Sequence, residues 1–157
     1  MAARPQLSLR GRALRLLSMR EHSRAELTRK LAPHAESEDQ LRAVLDELQR
    51  AGHLSDARFV ESLVQRRAPR FGRLRIEREL AEHHIDETHQ RGLLNELAGG
   101  ERERALEVWR KRFGRPPQDL AERGRQYRFL AQRGFDGDTV AWVLRHAGQA
   151  TPGAGDD

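Results

Sequence analysis

What most constrains this chain is a beat of about fifty residues running through it. From Leu80 as an anchor, steps of 13, 14 and 17 residues forward reach Leu93, Leu94 and Leu97, and 17 back reaches Leu63. Anchored at Leu31, the same steps give Val44, Leu45, Leu48 and Leu14; anchored at Leu130, they give Val143, Leu144, Ala147 and Phe113. With 37% of the residues apolar, a column three deep is apolar by chance about once in twenty, and here all five columns are. The sequence is one helical unit written three times. The expected fold class is all-α: three tandem three-helix repeats, about nine helices, in an elongated array that can curve. The expected domains are 8–54, 55–100 and 101–148, followed by a disordered tail over 149–157, which is rich in Gly, Pro and Asp.

Local signals place the helices. Ser8 to Met19 carries Leu9, Ala13, Leu16 and Leu17 on one face. Ser23 with Glu26, and Ser37 with Gln40, read as capping boxes that open the next two helices. Pro33 should stop the first of these and Gly52 the second. In the second unit, Ser55 or Asp56 can cap a helix with Phe59, Val60, Leu63 and Val64; the next offers Ile76 and Leu80, and Asp86 can cap the one with Leu93 to Leu97. The third unit opens at Glu101, runs through Val108 and Trp109, and continues with helices capped by Asp119 and Asp136. Phe59 and Trp109 both lie 21 residues before their anchors, so they read as core. Each unit holds few large apolar side chains. Ordering costs roughly 1–2 kcal/mol per residue, so the units should support one another.

Composition excludes several function classes. Cysteine is absent, so there is no disulfide or thiolate chemistry. The first residues, MAARPQLSLRGRALRLL, hold no apolar run of signal-peptide length, and no stretch approaches the ~18 apolar residues of a membrane span. A cytoplasmic protein without membrane contact is expected. His83, His84 and His89 cluster, but their spacing does not set two ligands on one helical face, and no HExxH is present. There is no phosphate loop and no nucleophile elbow. No catalytic residue, metal site or cofactor is expected.

The strongest feature apart from packing is cationic. Lys and Arg number 29 against 24 Asp and Glu, and the lysines are Lys30 and Lys111 alone. Net charge alternates along the chain: +6 over 1–32, −4 over 33–65, +5 over 66–78, −4 over 79–100, +5 over 101–135 and −3 over 136–157. The candidate binding residues are Arg66, Arg67, Arg70, Arg73, Arg75 and Arg78 at one joint between helices. Arg110, Lys111, Arg112 and Arg115 occupy the corresponding joint of the next unit, and Arg123, Arg125, Arg128 and Arg133 follow it. Arg66, Arg67 and Arg110 to Arg112 could equally complement the negative ends of their own helices. Arg70 to Arg78 stand at the start of a helix, where the dipole disfavours cations; a phosphate backbone or an acidic protein groove would supply a reason.

These segments carry a resemblance. AGHLSDARFVESLVQRR (Ala51 to Arg67) resembles the G-[YHFL]-L-[DNS]-D-x-R-[FY] segment of the RecX family of bacterial recombination regulators. HSRAELTRKL (His22 to Leu31) is similar to that family's first-repeat segment, and FGRLRIERELAEHHI (Phe71 to Ile85) to its G-x-x-x-I-x-x-E-L-x-x-x-G-I segment. RFLAQRGFDGDTV (Arg128 to Val140) resembles its third-repeat R-F-L-x-x-R-G-[FY] segment, and the likeness runs through residues 8–147. His84 stands where the second-repeat glycine would, so that helix is expected to end less sharply. The resemblance implies a non-enzymatic regulator, an inhibitor of the RecA recombinase. Such a protein lodges in the groove of the RecA–DNA filament and suppresses its ATPase and strand-exchange activity. The expected partners are the RecA filament and, weakly and without sequence preference, DNA, with the chain acting as a monomer. Two other readings stand beside it. One is a direct duplex binder built of helix-turn-helix-like units, although no clear Asn/Gln/Arg base-reading cluster is present; the other is a pure scaffold.

Overall fold

The structure is a computed structural model in which residues 3–149 are described; the expected tail, apart from Gln149, lies outside them. Among the described residues there are nine α-helices and no strand: α1 (Leu9–Met19), α2 (Arg24–Leu31), α3 (Glu38–Arg50), α4 (Asp56–Arg67), α5 (Arg73–Ala81), α6 (Glu87–Gly99), α7 (Glu101–Arg112), α8 (Leu120–Gln132) and α9 (Gly137–His146). A short 3₁₀ turn, Ala32–His34, follows α2 and takes Pro33 into its first positions.

The caps explain most of these boundaries. Ser8, Ser23 and Ser37 accept from the amides of Gly11, Glu26 and Gln40, each at 3.0 Å. Asp119 and Asp136 accept from Glu122 and Thr139 at 2.8 Å. Each supplies one of the acceptors that a helix start lacks. The reach-back from Gln40 goes one residue further than the box pattern predicts, to the amide of Glu36 at 2.7 Å. Ser55, and not Asp56, caps α4, through the amide of Arg58. Asp56 turns away and accepts from the Arg24 amide, the first of α2, at 2.9 Å. Glu101 repeats this move one unit later: it accepts at 2.7 Å from the Arg73 amide, the first of α5. The opening carboxylate of one repeat therefore finishes a helix of the repeat before it. Gly72 precedes α5 and has no side chain to do so itself.

The described residues fall into two compact units, one of residues up to 62 together with 80–90, the other of 63–79 together with those from 91 onward. The middle repeat is shared between them. In the first unit, Leu9, Ala13, Leu27, Leu31, Leu41, Leu45, Leu48 and Leu54 form one buried cluster, with Leu14, Leu16, Leu17 and Val44 half-buried against it. Phe59, as expected of a core residue, is buried here too, its ring 4.5 Å from that of His83. Ser23 Oγ, wholly buried, lies 2.6 Å from His83 Nδ1. His22 is also buried. Its Nδ1–H donates to the Arg20 carbonyl, and its Nε2 accepts from Lys30 Nζ.

The second unit is built on α7, α8 and α9. Leu106, Val108, Trp109, Leu130, Phe135, Val140, Val143 and Leu144 form its core, with Phe113 and Phe129 packed against it. The indole N–H of Trp109 donates to Gln126 Oε1 at 2.8 Å, so the one polar atom of this ring is not stranded by burial. The middle repeat's third helix is the thinnest: Leu97 is buried, while Leu93 and Leu94, expected on the same face, are only half-buried.

Candidate functional site

All fourteen cations singled out from the sequence fall within the second unit. A meeting of two turns brings several of them together. The turn between α4 and α5 lies against the turn between α8 and α9: the Gly72 amide donates to the Arg133 carbonyl at 2.8 Å, and the Leu74 amide donates to the Gly134 carbonyl at 3.1 Å. Both positions demand glycine. A Cβ at Gly72 would overlap the Gly134 carbonyl, and a Cβ at Gly134 would overlap Arg75. Gly134 also has φ +90°, a conformation that other residues adopt only with strain. This contact brings Arg70, Arg73 and Arg75 to Arg133, residues about sixty apart in sequence.

The cations then separate into two groups. Arg67 makes a two-pronged pair with Glu79, both bonds 3.0 Å. Arg73 pairs with Glu77 at 3.1 Å and approaches Glu101 at 3.9 Å. Arg110 and Lys111 lie 3.7 and 3.9 Å from Glu107 at the end of α7, and Arg66 is engaged as well. Arg67 and Arg73 thus have structural partners, which answers why cations are tolerated at the start of α5: Glu101 brings the negative charge from outside the helix. By contrast, Arg70, Arg75, Arg78, Arg112, Arg115, Arg123, Arg125, Arg128 and Arg133 have no carboxylate within 4.0 Å among the described residues. Arg128 folds back along α8 over Gly124.

Several of these arginines lie on aromatic rings. The Arg75 guanidinium carbon lies 4.1 Å from the centre of Phe71, with Arg133 at 5.3 Å from the same ring. Arg133 is also 5.0 Å from Phe129, Arg112 is 5.6 Å from Phe129, and Arg112 is 5.2 Å from Phe113. Phe113 and Phe129 meet edge to face at 5.3 Å. Guanidinium and phenyl therefore alternate, held by cation–π attraction. Beside this ladder lies an open groove of about 400 Å³ lined by Pro69, Arg70, Val108, Lys111, Arg112, Phe129 and Arg133. A smaller cleft, about 170 Å³, lies against Phe113, Arg115 and Arg125.

The sequence reading missed the aromatic half of this surface. A signal was present: Arg-Phe-Gly-Arg occurs twice, at Arg70 to Arg73 and at Arg112 to Arg115. It also missed Arg104, which is half-buried and donates from Nε to the Ala68 carbonyl at 3.1 Å and from Nη1 to the Leu97 carbonyl at 2.6 Å. Burial pushes the pKa of this guanidinium down, against the pull of Glu101 and Glu103. Glu101 is itself 4% exposed. Burial raises its carboxyl pKa, opposed by the Arg73 amide bond and the Arg104 charge. No group of three or more His, Asp or Glu among the described residues could hold a metal ion, and no described helix is long and apolar enough to cross a membrane.

Comparison with known proteins agrees with this architecture. Residues 10–48, 55–92 and 100–144 match the family models described as the first, second and third three-helix domains of RecX. The regulatory protein RecX of Leptothrix cholodnii is 56% identical over 144 residues, 92% of each chain. That of Ralstonia nicotianae is 49% identical over 92% of this chain and 91% of its own. Among solved structures, RecX from Lactobacillus salivarius superposes with a TM-score of 0.71 at 19% identity, covering 88% of this chain and 94% of that one. Three consecutive domain matches and close relatives along nearly the whole length lead to one conclusion: this chain belongs to the RecX family of regulatory proteins.

Proposed function

We propose that this protein regulates the RecA recombinase by binding rather than by catalysis. It lodges as a monomer in the groove of the RecA–DNA filament, and it lowers the filament's ATPase and strand-exchange activity. Membership of the RecX family supports a regulatory role, and the curated relatives carry the name regulatory protein. The observation that carries the contact assignment is the set of nine arginines without carboxylate partners on the second unit. A folded protein ordinarily pairs or disperses such charge; concentrated on one unit, it suits an anionic partner. Of the candidate residues, Arg67 and Arg73 belong to the scaffold in this reading, and the remainder form the contact surface.

The test is RecA's ATP turnover on single-stranded DNA with the purified chain added in stoichiometric amount. Turnover should fall, and the triple reversal Arg70→Glu, Arg75→Glu and Arg112→Glu should restore most of it while the far-UV circular dichroism stays helical. Unchanged turnover on adding the natural chain would overturn the proposal.

A further inference from the structure

The structure assigns a modification site to the first unit: Lys30, acylated by a small acyl phosphate that is seated on Arg12 and Arg15 while His22 serves as base to the attacking amine. None of the fourteen candidate cations takes part, and the inference does not depend on the RecA reading.

Three observations carry it. First, a groove of about 210 Å³ is lined by Arg12, Arg15, Lys30 and His34 over an apolar floor of Leu16 and Leu31. That volume admits a small anion and is too little for a nucleotide-borne acyl carrier. Second, Arg12 and Arg15 stand three apart on α1 and so share a face. Arg10 of the same helix is taken by Glu47 at 3.0 Å, whereas Arg12 and Arg15 have no carboxylate within 4.0 Å among the described residues. Neither lies in the last turn of α1, where the dipole would explain a cation. Their planar N–H edges suit a phosphate. Third, Lys30 Nζ donates to His22 Nε2 across 3.3 Å. His22 is 2% exposed and its Nδ1–H is committed to the Arg20 carbonyl at 3.0 Å, so the lone pair of Nε2 is fixed toward Lys30. Burial lowers the pKa of this imidazole and keeps it in its neutral, proton-accepting form. Glu26 also approaches Lys30, at 3.7 Å, but Arg20 already holds it through bonds of 3.0 and 2.6 Å.

The step balances with the acyl phosphate as its one reagent. The unprotonated fraction of the Lys30 amine adds to the acyl carbon. As the N–C bond forms, the nitrogen becomes acidic and passes a proton to His22 Nε2. The C–O bond to phosphate breaks, inorganic phosphate leaves, and the imidazolium returns its proton to solvent. The product amide keeps an N–H for His22 but no charge for Glu26.

Lys111, the other lysine of the chain, is the internal control. It is 75% exposed and lies 3.9 Å from Glu107. The purified full chain is treated with acetyl phosphate, without RecA or DNA, and acetylation of the two lysines is followed in time by peptide mass spectrometry. Lys30 should react at least about tenfold faster than Lys111, well within what a positioned base supplies. Inorganic phosphate should slow Lys30 and leave Lys111 unchanged. Arg12→Gln with Arg15→Gln should lower the Lys30-to-Lys111 ratio about tenfold, the value of a hydrogen bond to a charged group. His22→Gln should lower it at least as far, and acetyl-coenzyme A should show a smaller preference than acetyl phosphate. Equal rates at the two lysines overturn the site. So does a preference that is untouched by phosphate or by the arginine variant, or equally large with the thioester. An unchanged ratio in a folded His22→Gln overturns the base; should that variant fail to fold, the other outcomes decide.

Discussion

His84 is the one described residue other than glycine with a positive φ, at +50°. It takes the backbone shape that Gly52 and Gly134 supply at the ends of α3 and α8, where φ is +82° and +90°. The helix before it therefore still ends through a left-handed residue, contrary to the looser ending expected from the missing glycine. What the substitution changes is cost, since the Cβ meets the following carbonyl in that conformation. His84→Gly should raise stability by about 1 kcal/mol, read as the urea midpoint; a loss would mean that the imidazole makes contacts worth more than the strain. His22, buried nearby in the first unit, works through its protonation. Burial lowers its pKa, opposed by the bond to the Arg20 carbonyl. Its contribution to stability is thus complete above the unfolded value of about 6.5 and disappears as the pH falls through the folded one. Unfolding midpoints between pH 7 and pH 5 should fall, and His22→Gln should flatten that slope. A slope unaltered by the substitution would assign the acid sensitivity elsewhere.

At the scale of helices, the caps supplied from the following repeat are testable on their own. Glu101→Ala strips the Arg73 amide of its acceptor and should cost about 1 kcal/mol. Glu101→Gln keeps an acceptor and removes a buried charge, so it should cost less. Because the folded pKa of Glu101 is raised, its contribution is full below the unfolded value of about 4.3 and is lost as the pH rises through the folded one. The stability of the natural chain relative to Glu101→Gln should accordingly grow as the solution is acidified, and a pH-independent difference would refute the burial argument. Gly134→Ala should cost about 2 kcal/mol or more, since it combines a strained φ with overlap on Arg75; thermal melting measures it. Elements of this kind mark where the sequence was readable. Ser23, Ser37, Asp119 and Asp136 cap through local bonds, so residue type and spacing were enough to place them, whereas Ser8, expected as the first helical residue, caps its helix instead. Asp56 and Glu101 cap a partner 32 and 28 residues away, and nothing in the local pattern separates them from ordinary acidic first-turn residues.

For the whole molecule, the three-fold beat was legible because helical periodicity fixes which residues face inward, but the contacts between distant turns were not. The second repeat divides between two units, and the meeting of Gly72 with Gly134 that gathers the arginines joins distant segments. The fourteen cations were visible as a run of charge; that Arg75 and Arg133 share the Phe71 ring follows from that meeting and was not. If the nine arginines without carboxylate partners serve a polyanionic filament, inhibition of RecA should weaken steeply between 50 and 200 mM salt. Inhibition that is indifferent to salt would instead point to an apolar contact. The borrowed caps reach further still. A ribosome delivers the polypeptide from its N-terminus, so α2 must await Asp56, and α5 must await Glu101, before its first amide is satisfied. In the order of synthesis, then, each of the first two repeats gains this acceptor only when the opening residue of the next has been added.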